Sequence, residues 1–344
     1  MAVAVASRIL PVVVLASLLA VAPSPVFTAQ GIVLDDFRTA AAELTGLRSL
    51  LVIWRGEAIG EYHRAGIRPG SLANVKSVSK SVISTLVGIA IERRLIPTIG
   101  QPIATYFPEL AKDPDTRKRS ITIEDLLTMR SGLESTSGAN YGGWVKSANW
   151  VHFALRRPIV SEPGTAMEYS TGSSHLLSAM LTKVSRQSTL QFAQETLATP
   201  LGFRLASWPR DPQGIYFGGN EMLLTPKQMA AIGELYLNRG LFKGRQIVPS
   251  AWVDTSCVPR TTSVWDGDRH YGYGWWIQTF GRHTACFAWG YGGQYIFVFR
   301  DLNLVVVATS STTVSEERRG HRRRLFELIE QHVLAPVSAA RTVN

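Results

Sequence analysis

The chain has 344 residues, 45% of them hydrophobic and 18% charged, with two cysteines and a net charge of +10. That balance fits a soluble globular protein whose core needs no staples, in one large or two interleaved domains. The basic excess lies largely in RKR (117–119) and RRGHRRR (318–324); no nucleic-acid motif accompanies it, so it reads as a solvated face or an attraction to anionic polymers.

Residues 1–29 read as a secretory signal peptide. Arg8 precedes the apolar run ILPVVVLASLLAVA (9–22), and PSPVFTA (23–29) supplies small residues, with cleavage placed near Ala29. The run is short for a membrane span, and an uncleaved anchor is the alternative. Export predicts a periplasmic or secreted protein with no stable membrane span after signal removal. In an oxidising compartment Cys257 and Cys286 either pair or stay as separate buried thiols.

Residues 48–66 alternate apolar and polar positions around Arg55-Gly56-Glu57, as a β-hairpin does. The stretch NVKSVSKSVIS (74–84) then heads a helix that is apolar on most of its circumference, through Val78, Val82, Leu86 and Ile89 with Ile83, Val87 and Ile91. Ser77, Lys80, Ser81, Ser84 and Gly88 share one arc of about 100°, while Ser79 points roughly 200° away from Ser77. A polar stripe on a buried helix must face something that satisfies it. Ser77 in the first turn and Lys80 one turn later bring an amine to a hydroxyl. Desolvation and the helix N-terminus both disfavour the ammonium form, and a neutral amine beside a hydroxyl activates a nucleophile. Of the eight lysines only Lys80 has a serine three residues before it. Ser81 and Ser84 are expected to line the same cleft face.

The middle of the chain is helical. ITIEDLLTM (121–129) opens on a possible Thr122 cap, and TPKQMAAIGELYLNRG (225–240) has Thr225 as N-cap, Pro226 at the first position and Gly240 as stop. Strands return at 271–280, 283–290, 294–300 and 304–310, the last two joined by a tight turn at Asp301-Leu302-Asn303. EERRGHRRRLFELIEQHVLA (316–335) closes the chain as an amphipathic helix with Leu325, Phe326, Ile329 and Val333 on one face. The fold class is α/β (α+β): a sheet domain from 30–74 and 245–344, and a largely helical domain, 75–244, inserted between them. The cleft between the two is the natural place for a site.

Other chemistries lack their motifs. There is no G-x-S-x-G elbow, no C-x-x-C and no H-E-x-x-H, so neither metal nor organic cofactor is expected. The seven histidines are scattered, and His175 and His283 are expected to be hydrogen-bonded structural residues.

On NVKSVSKSVIS, ITIEDLLTMRSGL (121–133), EPGTAMEYSTGSSHLLSAML (162–181), LLTPKQMAAIGELYLNRG (223–240) with QIVPSAWV (246–253), and WGYGGQYIFVFRDLNLVVV (289–307), the chain resembles the serine β-lactamase and penicillin-binding-protein superfamily. It looks closest to the class C β-lactamase-like esterases and 6-aminohexanoate-dimer hydrolases, over about 35–335. The resemblance implies a β-lactamase/transpeptidase-like fold, an antiparallel sheet flanked by helices plus a helical insertion. It makes Ser77 the nucleophile and Lys80 its base. The family's Tyr-x-Asn motif matches Tyr169-Ser170-Thr171, so Tyr169 would share the Ser77 proton and protonate the leaving group, with Thr171 in place of asparagine. The literal Tyr236-Leu237-Asn238 is expected to be structural.

The family's third motif, Lys-Thr-Gly or His-x-Gly, aligns with Ala288-Trp289-Gly290. Its cation is missing, which implies neutral ester or amide substrates. Tyr291 N–H with Ser77 N–H would form the oxyanion hole, with Gly290, Trp289 and Thr171 at the substrate. Of Trp144, Trp150, Trp275, Trp276 and Trp289, most are expected to be packing. The implied function is a Ser-Lys-Tyr serine hydrolase acting on a small-molecule ester or amide. The alternatives are a β-lactamase or D,D-carboxypeptidase, or an inert binding or sensor domain. No nucleic acid partner is expected, and the oligomeric state is left open.

Overall fold

The computed structural model describes residues 36–313 and 319–342, together with Met1 and Leu34. The expected signal peptide, residues 1–29, lies outside them apart from Met1. Gly31–Asn344 form one compact unit, distinct from Met1–Gln30. No helix among the described residues is long and apolar enough to cross a membrane.

An eight-stranded antiparallel sheet organises the molecule: β1 Leu47–Trp54, β2 Glu57–His63, β3 Thr261–Thr262, β4 His270–Tyr271, β5 Trp276–Phe280, β6 His283–Gly290, β7 Gln294–Phe299 and β8 Leu304–Ser310, in the order β2-β1-β8-β7-β6-β5-β4-β3. β1 and β2 form the expected hairpin, and the first strand lies beside the last, Leu50 opposite Ala308. Side chains alternate across this sheet. Val305 and Val307 enter one core cluster, Leu304, Val306 and Ala308 the other. Helices cover both faces, so β7 and β8 are buried along their whole length. That is why they read as continuous apolar runs.

The outer face carries α1 Phe37–Glu43 and α6 His321–Ile329, through Phe37, Leu325 and Ile329. α6 begins later than expected and runs on through residues 330–342. The inner face carries α2 Val78–Glu92 and α5 Pro226–Leu237, and α4 Thr171–Ser185 packs on α2 with the short α3 Ile123–Leu127 beside it. Capping boxes fix two starts, Thr122 with Asp125 for α3 and Thr225 with Gln228 for α5. The strands therefore come from the two ends of the chain and the inner helices from its middle. On that distribution we propose the division into a sheet domain, 30–74 with 245–344, and a helical domain, 75–244.

One expected strand is broken. Residues 271–280 are split between β4 and β5 because Ser84 and Ser81 of α2 donate to the carbonyls of Tyr273 and Gly274, at 2.5 and 2.6 Å, and bend the chain there. Cys257 and Cys286 are joined in a disulfide that ties the end of the short helix Ser250–Ser256 to β6.

Gly88, counted in the polar stripe of α2, is a packing position. A Cβ there would lie 2.4 Å from Trp252 Cγ, with ring atoms on either side. Gly88→Ala should therefore lower stability by about 1–3 kcal/mol through overpacking. Gly100→Ala, with no atom within 4 Å, should be close to neutral. Urea or thermal unfolding of the two variants checks the contrast.

Candidate active site

Val75, Lys76 and Ser77 form a tight turn at the head of α2. The N–H groups of Val78, Ser79 and Lys80 donate to the carbonyls of Val75, Lys76 and Ser77 at 3.1, 3.1 and 3.0 Å. Ser77 is the N-cap residue, yet its side chain makes no cap bond to its own helix. Its hydroxyl meets Lys80 Nζ at 3.0 Å and the Tyr169 phenol.

Lys80 is 3% exposed. Its amine donates to Ser77 Oγ, to Thr171 Oγ1 at 3.3 Å and to the Gly219 carbonyl at 2.7 Å. None of these is a carboxylate, so the loss of hydration is offset only in part, by neutral dipoles. Burial pulls the amine from 10.5 down to about 7.

Tyr169 immediately precedes Ser170, the N-cap of α4, and Ser135 Oγ donates to its carbonyl at 2.6 Å. Its ring stacks on Trp276 at 5.7 Å, and Lys80 Nζ lies 5.0 Å from the ring centroid. Burial pushes the phenol up to about 12, opposed by the hydrogen bond with Ser77. The same dry environment thus drives amine and phenol apart, one toward a neutral base and the other toward a held proton.

Thr171 stands where the resemblance has asparagine. Its Oγ1 accepts from Lys80 and lies 2.9 Å from Ser137 Oγ, which also accepts from the Thr171 N–H at 3.0 Å. At the end of β6, a Cβ on Gly290 would sit 2.1 Å from the Val75 carbonyl oxygen. Only glycine lets this strand close on the serine turn. Tyr291 follows, half exposed. Trp289 alternates to the outer face of the sheet, where it contacts Trp276 and Tyr295 and lies under the Arg269 guanidinium at 4.9 Å. Ser77, Lys80, Tyr169, Thr171 and Gly290 are therefore brought together around one turn, and Trp289 meets this group only through Trp276, which touches both Trp289 and Tyr169.

Several neighbouring residues have other duties. Ser81 and Ser84 do not line a cleft. Both are buried and hold the Tyr273-Gly274 carbonyls, because a helix enclosed on all sides must satisfy its hydroxyls within the core. Tyr236 is buried against Trp275 and bonded to Thr85. His175 pairs with Asp211 at 3.0 Å, and His283 bonds Asp301 and Ser338. Trp144 and Trp150 pack around His175. Sequence reasoning passed over Ser137, the Gly219 carbonyl and Trp265. Trp265 is 59% exposed, yet its ring stands edge-on to Tyr169 at 5.3 Å. Only a backbone acceptor and loop residues were missed, and neither carries a periodic signal.

The beta-lactamase family model matches residues 48–330. The chain belongs to the beta-lactamase family. A 6-aminohexanoate-dimer hydrolase of Paenarthrobacter ureafaciens is 26% identical over a 231-residue alignment that covers 62% of this chain and 57% of that protein. The chain thus matches little more than half of that relative's length. A Bacillus anthracis structure provisionally named a 6-aminohexanoate-dimer hydrolase superposes with a TM-score of 0.73 at 19% identity, covering 86% of this chain and 82% of the other. A class C beta-lactamase from Rhodobacter sphaeroides gives 0.65 at 18%, covering 87% and 99%. These structures share the beta-lactamase fold with this chain.

The buried amine has a signature in stability. A folded-state value near 7 against 10.5 means that the unfolded chain binds more protons between those limits, so stability rises as pH climbs from about 7 to 10.5. Lys80→Met removes this dependence. Its Tm relative to wild type should be most favourable near pH 6 and should fall by pH 10, as pH-resolved thermal unfolding will show.

Proposed function

We propose that the chain is a serine hydrolase that acts on esters or amides through an acyl-enzyme. The observation that carries this reading is an amine buried without a counter-ion, 3.0 Å from a serine hydroxyl at a helix N-cap. Structural lysines bury their stems and keep their charge in water or in an ion pair, and Lys80 does neither.

In this mechanism Ser77 Oγ attacks the substrate carbonyl as neutral Lys80 accepts its proton. Lys80 is then a cation held by the Thr171 hydroxyl and the Gly219 carbonyl. The N–H groups of Ser77 and Tyr291 receive the oxyanion, a role supported by the close approach of Gly290 to the Val75 carbonyl. Tyr169 keeps its proton at neutral pH and passes it to the leaving group, recovering one from Lys80. Water, deprotonated by the same pair, releases the acyl group and regenerates Ser77.

Ala288 supplies no cation for a carboxylate close to the scissile bond, which favours esters and linear amides over β-lactams. The relatives named as 6-aminohexanoate-dimer hydrolases support a linear amide as one substrate type. We also propose export: the leader-like residues 1–29 and the disulfide both suit an oxidising compartment.

Purified protein should give a burst with a p-nitrophenyl ester and take one fluorophosphonate on Ser77, and Ser77→Ala should lose both. Turnover should rise along an acid limb near pH 7 as Lys80 loses its proton. Hydrolysis by Ser77→Ala at the wild-type rate contradicts the assignment. Rapid turnover of a β-lactam favours the β-lactamase reading, and no acyl adduct by intact mass with any of the three substrate types favours the inert one.

A further inference from the structure

Two residues beside the proposed site hold a backbone conformation that their side chains disfavour. Lys76, directly before Ser77, has φ +51°, and Glu221, two residues after Gly219, has φ +67°. Non-glycine residues persist in the left-handed region where surrounding contacts over-determine them, and such positions cluster at functional sites. Here the contacts tie the two residues to each other. Lys76 Nζ pairs with Glu221 Oε1 at 2.7 Å. Asn74 bridges them, its Nδ2 donating to Glu221 Oε2 and its Oδ1 accepting from the Lys76 N–H at 3.1 Å. Both ion-pair side chains are about three-quarters or more buried.

Ser79, the serine facing away from Ser77, closes the loop from below. Its hydroxyl donates to the Lys76 carbonyl at 2.7 Å and accepts from the Met222 N–H at 3.3 Å. The Val75 N–H donates to the Met222 carbonyl at 3.0 Å, and Ala73–Asn74 pair with Leu223–Leu224 as a short antiparallel bridge. On the far side, Asn220 is held by the Tyr141 hydroxyl at 2.9 Å. The segment that presents Ser77 and the segment that presents the Gly219 carbonyl are thus sewn together, and both reach the Lys80 amine.

We propose that Lys76, Glu221 and Asn74 form a positioning strap that fixes Ser77 Oγ and the Gly219 carbonyl relative to the Lys80 amine. This rests on the reading of Ser77 as nucleophile. The strap touches no substrate. It holds the turn in a conformation that backbone preference alone would not keep. An isolated ion pair at this exposure would contribute little. This one is set among further hydrogen bonds between the same two segments and a strand pairing, so its loss should be felt as geometry. Small misplacements of reacting groups cost on the order of 10²-fold in rate.

Lys76→Gly separates the strap from backbone strain, since glycine adopts positive φ freely and keeps the turn's backbone without the ion pair. Acylation by a p-nitrophenyl ester would be followed from pH 5 to 10 in wild type, Lys76→Gly, Lys76→Met, Glu221→Gln and Lys76→Arg. Loss of the strap should lower kcat by about 10- to 100-fold with KM within about twofold. The acid limb should move to higher pH, because a hydrated amine holds its proton longer. Lys76→Arg should restore most of the rate, and the Lys76→Met/Glu221→Gln double variant should be no slower than either single one. Wild-type rates and an unmoved pH profile in Lys76→Gly and Glu221→Gln overturn the strap while leaving the hydrolase reading intact. Absence of acylation in wild type overturns both.

Discussion

Everything at the candidate site follows from an amine placed in the core with no counter-ion. The helix that carries it is buried continuously from Val78 to Ala90, so Lys80 cannot reach water without breaking the packing of its neighbours. The structure answers this cost with dipoles: two hydroxyls and one backbone carbonyl. Those groups stabilise an ammonium only partly, and the balance leaves the amine able to give up its proton near neutrality. The phenol of Tyr169 feels the same dryness with opposite consequence. A single physical condition thus shifts an amine and a phenol in opposite directions beside one hydroxyl.

The fold maintains that condition from both sides. From the sheet, the end of β6 presses on the serine turn through Gly290. From the helical side, the head of α4 delivers Tyr169 and Thr171 from either side of the N-cap Ser170, anchored by Ser135 and Ser137. The hydroxyls of α2 that point elsewhere are structural devices: Ser81 and Ser84 hold the Tyr273-Gly274 turn, and Ser79 holds the segment after Gly219. The same inner core runs through all of these elements. Membership of the beta-lactamase family fits this architecture, and the departures at Thr171 and Ala288 are where this chain differs from the pattern its other motifs follow.

The readable parts of the site were those encoded within one element. Ser77 and Lys80 are three residues apart on a helix, so their meeting is a matter of periodicity, and the same holds for the hairpin at 48–66 and the capped starts at Thr122 and Thr225. Tyr169 and Gly290 came from motif resemblance, since nothing local says that a loop at 169 and a strand end at 290 converge on residue 77. What stayed hidden was set by tertiary contact. The break at 272–275 lies inside an apolar, aromatic run and is imposed by serines nearly two hundred residues away. The acceptor at Gly219 is a backbone carbonyl and has no side-chain signature. Trp289 was placed at the substrate by alignment, but the strand's two-residue alternation sends it to the opposite face from Gly290.

The protonation state of the Lys80 amine can be observed directly. Protein labelled with ¹⁵N or ¹³C at the lysine side-chain terminus, titrated by NMR from pH 5 to 11, should show one resonance titrating near 7 that is absent from Lys80→Met. If every lysine in the wild type instead titrates above about 10, as unperturbed lysines do, Lys80 is a buried cation and cannot be the base.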